Sequence, residues 1–310
     1  MERIPHTPGR RAFLARLGGL GAALWLGPGL AAGPGPIITR PIPASGETLP
    51  VIGMGTWITF DVGSDPAELA TRVAILRTFF ARGGAFIDSS PMYGRAEATL
   101  GYCLERVADH EALFSATKVW TRGRAAGIRQ MERSRGLWGV ARFDLMQVHN
   151  LLDWEAHLPL LKEWKAEGRI RYLGVTTSHG RRHAELERLL RAEPLDFVQF
   201  TYNIADREAE ARLLPLAAER GIAVIINRPF QGGRLFRAVH GRPLPAWAAE
   251  IDCANWAQFF LKFIVSQPAV TVAIPATSQV AHMEENMGAL HGALPDGATR
   301  RRMVAAFAEL

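Results

Sequence analysis

Eight times along this chain a short apolar run is followed by a stretch with helical spacing, and that alternation constrains the fold more than any other feature. The runs read VIGMGT (51–56), GAFID (84–88), LFSAT (113–117), DLMQV (144–148), YLGVT (172–176), DFVQF (196–200), IAVII (222–226) and TVAI (271–274). Helical patterns fill 65–82, 95–108, 124–138, 154–167, 180–192, 206–220 and 255–266, and a further pair, 279–290 and 297–309, follows the last run. The segment 154–167 shows the logic. Leu158, Leu161 and Trp164 recur at helical spacing, Glu155, Lys162 and Glu163 mark the wet side, and Gly168 is a stop. Strands separated by helices predict a parallel sheet, and eight of them predict closure into a (β/α)8 TIM barrel. The alternative, an open doubly wound sheet, expects a glycine-rich turn after its first strand. The sequence there is WITFDVGSD, which has none. With 48% hydrophobic and 21% charged residues, the chain has enough apolar side chains for one large core, so 33–310 reads as a single domain.

The first 32 residues read differently. A basic pair, Arg10-Arg11, precedes Phe13-Leu14, a weakly apolar Gly/Ala-rich run follows, and small residues suited to cleavage stand at Ala31-Ala32. This is the layout of a signal peptide, and GRRAFL resembles a twin-arginine export signal. The uncharged run from Leu17 to Leu30 is short for a membrane span. The expectation is an exported protein, periplasmic in a two-membrane bacterium, with the twin-arginine translocase as a partner during export; a cytoplasmic location is the alternative.

In a barrel, chemistry collects where strands end. The second strand ends on Asp88, and its loop, SSPMYG, carries Tyr93. The third ends SATKVW, placing Lys118 just past the strand, and the fourth ends QVHN, placing His149 at the same point. Adjacent strands bring these four to one rim. Alone, the Asp reads as a helix cap, the Lys as a solvated charge and the His as structural; together they form a proton-donating set. Tyrosine, with a free pKa of about 10, is a poor acid at neutral pH. A nearby ammonium is expected to lower that pKa, a carboxylate to aim the ammonium, and an imidazole to orient a carbonyl. No side chain donates hydride, so a nicotinamide cofactor is implied.

The stretch GGAFIDSSPMYGRAEATLG, with Lys118 and His149 at the next two strand ends, closely resembles the aldo-keto reductase signature and catalytic tetrad. The resemblance runs from about Leu49 to about residue 290. It implies an NAD(P)H-dependent carbonyl reductase in which Tyr93 is the general acid, Lys118 and Asp88 tune it, and His149 positions the carbonyl. It also implies a dinucleotide site. GMGTW resembles the family's first strand and loop, with Thr56 and Trp57; Gln199 stands where the family holds the carboxamide; Thr176 and Thr177 replace its usual Ser-Asn pair. In IPATSQVAHMEENMGAL, Thr277 and Ser278 suit a phosphate, and Glu285 and Asn286 match the adenine contacts. Without the family context those last two read as a solvated helix face.

There are departures. Asn227, followed by Arg228, stands where relatives stack an aromatic residue on the nicotinamide. His282 and Ala276 stand where the family places basic residues for the 2′-phosphate. NADP(H) is favoured and NAD(H) is the alternative, with Arg228 a second phosphate contact or a barrel-rim ion pair. Trp57, Met92 and Trp120 are expected to wall an apolar substrate pocket, and residues 230–250, with Trp247, are long enough to cover it.

Other classes fit less well. The basic residues are scattered and not interleaved with aromatics, against a nucleic-acid surface. Cys103 and Cys253 lack metal-ligand spacing, so no metal is expected, and both read as small apolar core residues. A Schiff-base lyase using Lys118 and a non-catalytic, redox-sensing dinucleotide-binding barrel remain as alternatives.

Overall fold

A computed structural model describes residues 35–310; the expected signal segment, 1–32, lies outside the described residues. A hairpin of β1 (Thr39–Pro41) and β2 (Thr48–Pro50) comes first. Eight parallel strands follow: β3 (Met54–Gly55), β4 (Phe86–Asp88), β5 (Phe114–Val119), β6 (Phe143–Val148), β7 (Ile170–Thr176), β8 (Phe197–Thr201), β9 (Ala223–Asn227) and β10 (Val272–Ala273). Their order in the sheet is their order in the chain. The last strand then meets the first. Gly53 N–H donates to Ala273 O at 2.9 Å, Ala273 N–H to Val51 O at 2.9 Å, and Gly55 N–H to Pro275 O at 3.0 Å. The alternation in the sequence thus produces a (β/α)8 barrel.

Helices α1 (Pro66–Ala81), α2 (Ala96–Leu104), α3 (Arg124–Trp138), α4 (Trp154–Ala166), α5 (His183–Ala192), α6 (Leu213–Glu219), α7 (Arg234–Ala238), α8 (Trp256–Val265), α9 (Val280–Gly288) and α10 (Gly297–Ala308) surround it. Local chemistry sets several ends. Asp65 caps α1, accepting from the N–H groups of Ala67 and Glu68, with Pro66 at the first helical position. The 206–220 pattern divides into a single 3-10 turn, Glu208–Glu210, and α6. Cys103 and Cys253 are free and buried. Among the described residues no helix is long and apolar enough to cross a membrane.

Strand alternation divides the barrel into tiers, because successive side chains point to opposite faces. Ile87, Val119, Met146, Val148, Val175, Val198 and Ile226 face outward and pack beneath the helices. Inward, the lower tier is apolar: Phe86, Phe114, Leu145, Tyr172, Phe197 and Ala223 form one buried cluster. Ile42 and Leu49, flanking the tip of the hairpin, join that cluster, so the hairpin plugs the amino-terminal end of the barrel. Tyr172 Oη lies 2.8 Å from both Ser45 Oγ and Glu47 Oε2 and fastens the plug. Further along the strands the inward positions become polar, after two residues on β4, β6 and β8 and after four on β5, β7 and β9, and that upper tier is the site.

Outside the barrel, α2 lies hard against the end of α3. Buried Glu97 accepts from Thr117 (2.6 Å), Ser134 (2.8 Å) and Trp138 (3.2 Å), tying α2 to β5 and α3. A Cβ at Gly101 would sit 1.8 Å from Leu137 O, so the contact admits only glycine. We expect Gly101→Ala to destabilise the protein by at least ~1–3 kcal/mol in urea unfolding, the cost of overpacking. Gly136→Ala, on the exposed side of α3 with nothing within 4 Å, is expected to be neutral or stabilising by up to ~1 kcal/mol.

Candidate active site

Four inward positions at neighbouring strand ends define the centre. Phe86 and Asp88 share the inner face of β4; Phe114, Ala116 and Lys118 share that of β5; Leu145 and Gln147 share that of β6, with His149 next at i+2. Lys118 lies inside β5 rather than just past it, because β5 runs on to Val119. That extra length buries the ammonium completely. Lys118 Nζ donates to Asp88 Oδ2 at 2.5 Å and to Ser89 O at 2.7 Å.

The other Asp88 oxygen accepts two amides, Gln147 Nε2 at 3.1 Å and Gln199 Nε2 at 3.0 Å. A carboxylate only accepts, so both amides must turn their NH2 groups towards it. Gln199 Oε1 then accepts from Asn227 Nδ2 at 3.3 Å; Asn227 Nδ2 also reaches Thr177 O (2.9 Å), and its Oδ1 accepts from Thr201 Oγ1 (2.7 Å). A continuous polar tier therefore runs from Lys118 to Thr201.

Tyr93 leans over this tier. Its ring meets the His149 ring edge-on, centroids 5.6 Å apart, and Lys118 Nζ lies 5.2 Å from its centroid. Burial, reinforced by the Asp88 carboxylate, pushes the Tyr93 phenol well above its ordinary value. This reverses the sequence expectation that Lys118 lowers it. The ammonium is committed to Asp88 and Ser89, and burial lowers its own affinity for a proton against the opposing pull of Asp88. Burial and the charge of Lys118 hold His149 well below the ordinary imidazole range, so the ring is neutral. His149 Nδ1 lies 2.8 Å from Ser90 Oγ.

A cavity of about 430 Å³ opens above the tier. Asp88, Tyr93, His149, Thr56, Trp57, Met92, Thr176, Gln199, Asn227, Arg228, Thr277, Ser278 and His282 all line it. Lys118 and Trp120 do not. The Trp120 backbone is tied to Gln130, which bonds both its N–H (2.6 Å) and its C=O (3.0 Å). Glu285 and Asn286 also lie off the cavity. α9 turns Asn286 into the packed interior, and the backbone of Glu285 accepts from Gln258. Of residues 230–250, Phe230, Gly232, Gly233 and Phe236 line the cavity. Trp247 packs on Phe259 and under Arg302 instead.

The groups needed by a nicotinamide dinucleotide fit these walls. Thr177, predicted as a cofactor contact, lies off the cavity: its N–H donates to Gln199 O at 2.8 Å and its carbonyl accepts from Asn227 Nδ2, while Gln199 and Asn227 themselves line the wall and present amides suited to a carboxamide. Arg228 has no carboxylate partner within 4 Å among the described residues, and its guanidinium lies 5.7 Å from the Trp57 ring. The first turn of α9 has no side-chain cap, and Thr277 and Ser278 precede it at the cavity wall, an arrangement suited to a phosphate. Asn227 cannot stack as an aromatic ring would. It braces Gln199 instead.

Two contributors escaped the sequence analysis, Gln147 and Ser90. Gln147 was detectable, since it stands two residues before His149 and shares its inner face. Ser90 carried no signal beyond its place in a loop.

Comparison with known proteins agrees with this geometry. The model of the Aldo/keto reductase family matches residues 51–301. The methylglyoxal reductase YeaE of Escherichia coli is 28% identical over 248 residues, covering 78% of this chain and 86% of that protein. The NADH-specific methylglyoxal reductase of the same organism is 28% identical, covering 63% and 68%. A Klebsiella pneumoniae aldo/keto reductase, solved with NADP and acetate, superposes with a TM-score of 0.72 at 25% identity, covering 84% and 93%.

The buried pair sets a stability prediction. Lys118→Met leaves Asp88 buried without its counter-charge and is expected to cost ~3–5 kcal/mol in urea unfolding. Adding Asp88→Asn should recover part of that loss. A single variant as stable as the parent would show that the pair carries no such penalty.

Proposed function

This chain belongs to the aldo/keto reductase family, and from that premise we propose that its site reduces an aldehyde or ketone to the alcohol with NADPH, Tyr93 supplying the proton. The observation that carries the reading is the buried Asp88–Lys118 pair set behind Tyr93 and His149 at the mouth of one cavity. The nicotinamide, when bound, supplies hydride to the carbonyl carbon. Gln199, Asn227 and Thr176 would hold its carboxamide; Arg228, Thr277 and Ser278 would hold phosphate oxygens.

The chain's own groups do the rest. His149, neutral at the cavity wall, orients the carbonyl oxygen towards Tyr93. The raised phenol keeps its proton until charge develops on that oxygen. Lys118, fixed by Asp88, offers a positive charge behind the ring as the proton leaves. Trp57, Ile58, Met92 and Phe236 make the adjoining wall apolar, which suits a carbonyl with an apolar body. The Schiff-base alternative is disfavoured because the Lys118 nitrogen is sealed off and bonded by Asp88 and Ser89. NADH is the second donor to test, since one relative is named NADH-specific.

Export is part of the proposal. GRRAFL and the following apolar run support a twin-arginine signal in residues 1–32. Fractionation should find the shortened protein in the envelope compartment, and abolishing Arg10-Arg11 by Lys-Lys substitution should retain it in the cytoplasm.

Tyr93→Phe is expected to lower carbonyl-dependent NADPH oxidation ~10²–10⁴-fold with unfolding unchanged. Normal turnover in that variant would overturn the assignment. In the wild type the active forms are the protonated phenol and the neutral imidazole. The phenol, raised, is lost only as pH climbs above its ordinary ~10, and the imidazole, lowered, charges only well below its ordinary ~6.5. The rate of reduction should therefore show no imidazole-like step between about pH 6 and 8.

A further inference from the structure

The His149 ring has two nitrogens with different surroundings. Nδ1 faces Ser90 Oγ at 2.8 Å in a fully buried contact. No described residue bonds Nε2, and His149 lines the cavity while Ser90 does not. Since the imidazole is neutral, one nitrogen carries a proton and the other accepts one. Which is which decides whether the ring donates to a carbonyl oxygen or repels it.

The hydroxyl of Ser90 settles the choice through a third group. Met92 N–H donates to Ser90 Oγ at 3.2 Å. That backbone proton takes one of the hydroxyl's two lone pairs; a proton on Nδ1 would take the other and leave the buried hydroxyl hydrogen with no acceptor among the described residues, so the hydroxyl donates to Nδ1. Nδ1 is thereby made the acceptor, and the proton of the ring is placed on Nε2, at the cavity. We propose that Ser90 is a positioning residue that locks His149 as the Nε2–H tautomer, and so makes it a hydrogen-bond donor to the substrate carbonyl. The inference rests on the carbonyl-reductase reading for its purpose, but not for its geometry.

The loop sequence explains why the lock is rigid. Ser90 sits at the turn SSPMYG, where Tyr93 N–H donates to Ser90 O at 3.0 Å while Met92 N–H holds its side chain. The same short loop therefore presents the proton donor, Tyr93, and orients its partner, His149. Pro91, between Ser90 and Met92, removes a competing backbone N–H and fixes the local φ.

The decisive measurement is the 15N–1H correlation spectrum of the His149 ring in the resting wild-type protein, which requires no turnover. The expected pattern is a protonated Nε2 and an unprotonated, hydrogen-bonded Nδ1. A ring protonated at Nδ1 would overturn the lock outright, whatever the enzyme reduces. In Ser90→Ala the two nitrogens should converge towards a tautomer mixture, and kcat for carbonyl reduction should fall about tenfold with a smaller change in KM. Ser90→Thr, which keeps the hydroxyl, should restore both the spectrum and kcat. A Ser90→Ala spectrum identical to the wild type would also overturn the proposal. If the spectra behave as expected but no carbonyl is reduced, the lock stands and the proposed activity fails.

Discussion

The structure turns on one buried ion pair, Lys118–Asp88. Both partners are removed from water, at 0% and 2% side-chain exposure, and transferring two charges into a protein interior costs several kcal/mol each before their attraction is counted. The barrel offsets that cost with partners. Lys118 has a carboxylate and the Ser89 carbonyl; Asp88 has the ammonium and two amides. The residues that satisfy the pair are thereby held in orientation, and one of them, Gln199, is part of the cavity wall. The pair also determines what Tyr93 can be. With the ammonium held by Asp88, the phenol feels desolvation and a neighbouring carboxylate more than it feels Lys118, and it remains a proton-bearing group. That suits a donor that must keep its proton until a carbonyl oxygen becomes basic.

Strand alternation turns a chain of short runs into this arrangement. Each inward-facing strand position holds a residue of one tier, and moving along the strand by two residues changes the tier. Phe86 to Asp88, Ala116 to Lys118, Leu145 to Gln147 and Phe197 to Gln199 are the same step on four strands. Parallel pairing sets Lys118 opposite Gln147 and Thr176 opposite Gln199, while Asp88 stands opposite Ala116, one inward step before Lys118, so the long Lys118 side chain reaches back to it. The apolar tier below, plugged by Ile42 and Leu49, keeps water from the underside of the charges.

How much of this was legible in the sequence follows from the range of the interactions involved. The eight strands were legible because buried parallel strands are continuous apolar runs, and Asp88, Lys118 and His149 because each stands where such a run ends; Tyr93 was legible from the loop SSPMYG that follows Asp88. The hairpin was not, since its three-residue strands contain Pro41 and Pro50 and pair through a tight turn with no periodicity to detect. Lys118 was placed one step too far out because the strand's end is set by pairing with β6, which the local sequence does not encode. Trp57, Trp120 and Trp247 look alike as sequence, yet of the three only Trp57 reaches the cavity; the backbone of Trp120 is tied to Gln130, and the Trp247 ring packs with Phe259 and Arg302. Ser90 acquires its role only when β4 and β6 bring it to His149.

Asn227 shows how a departure from the family pattern can be structurally complete. A ring at that position would supply a stacking surface and nothing to the network beneath. The amide supplies no stacking surface but makes three hydrogen bonds, to Thr177 O, Gln199 Oε1 and Thr201 Oγ1. Through Gln199 it is joined to Asp88, and through Asp88 to Lys118. The wall assigned to the carboxamide and the group that governs Tyr93 thus belong to one hydrogen-bonded unit. In a low-dielectric interior such a unit is strong when every member is satisfied and costly when one is not. A residue that gives up a stacking contact therefore makes the position of Gln199 answer to the ion pair, and preorganises the polar tier before any cofactor enters.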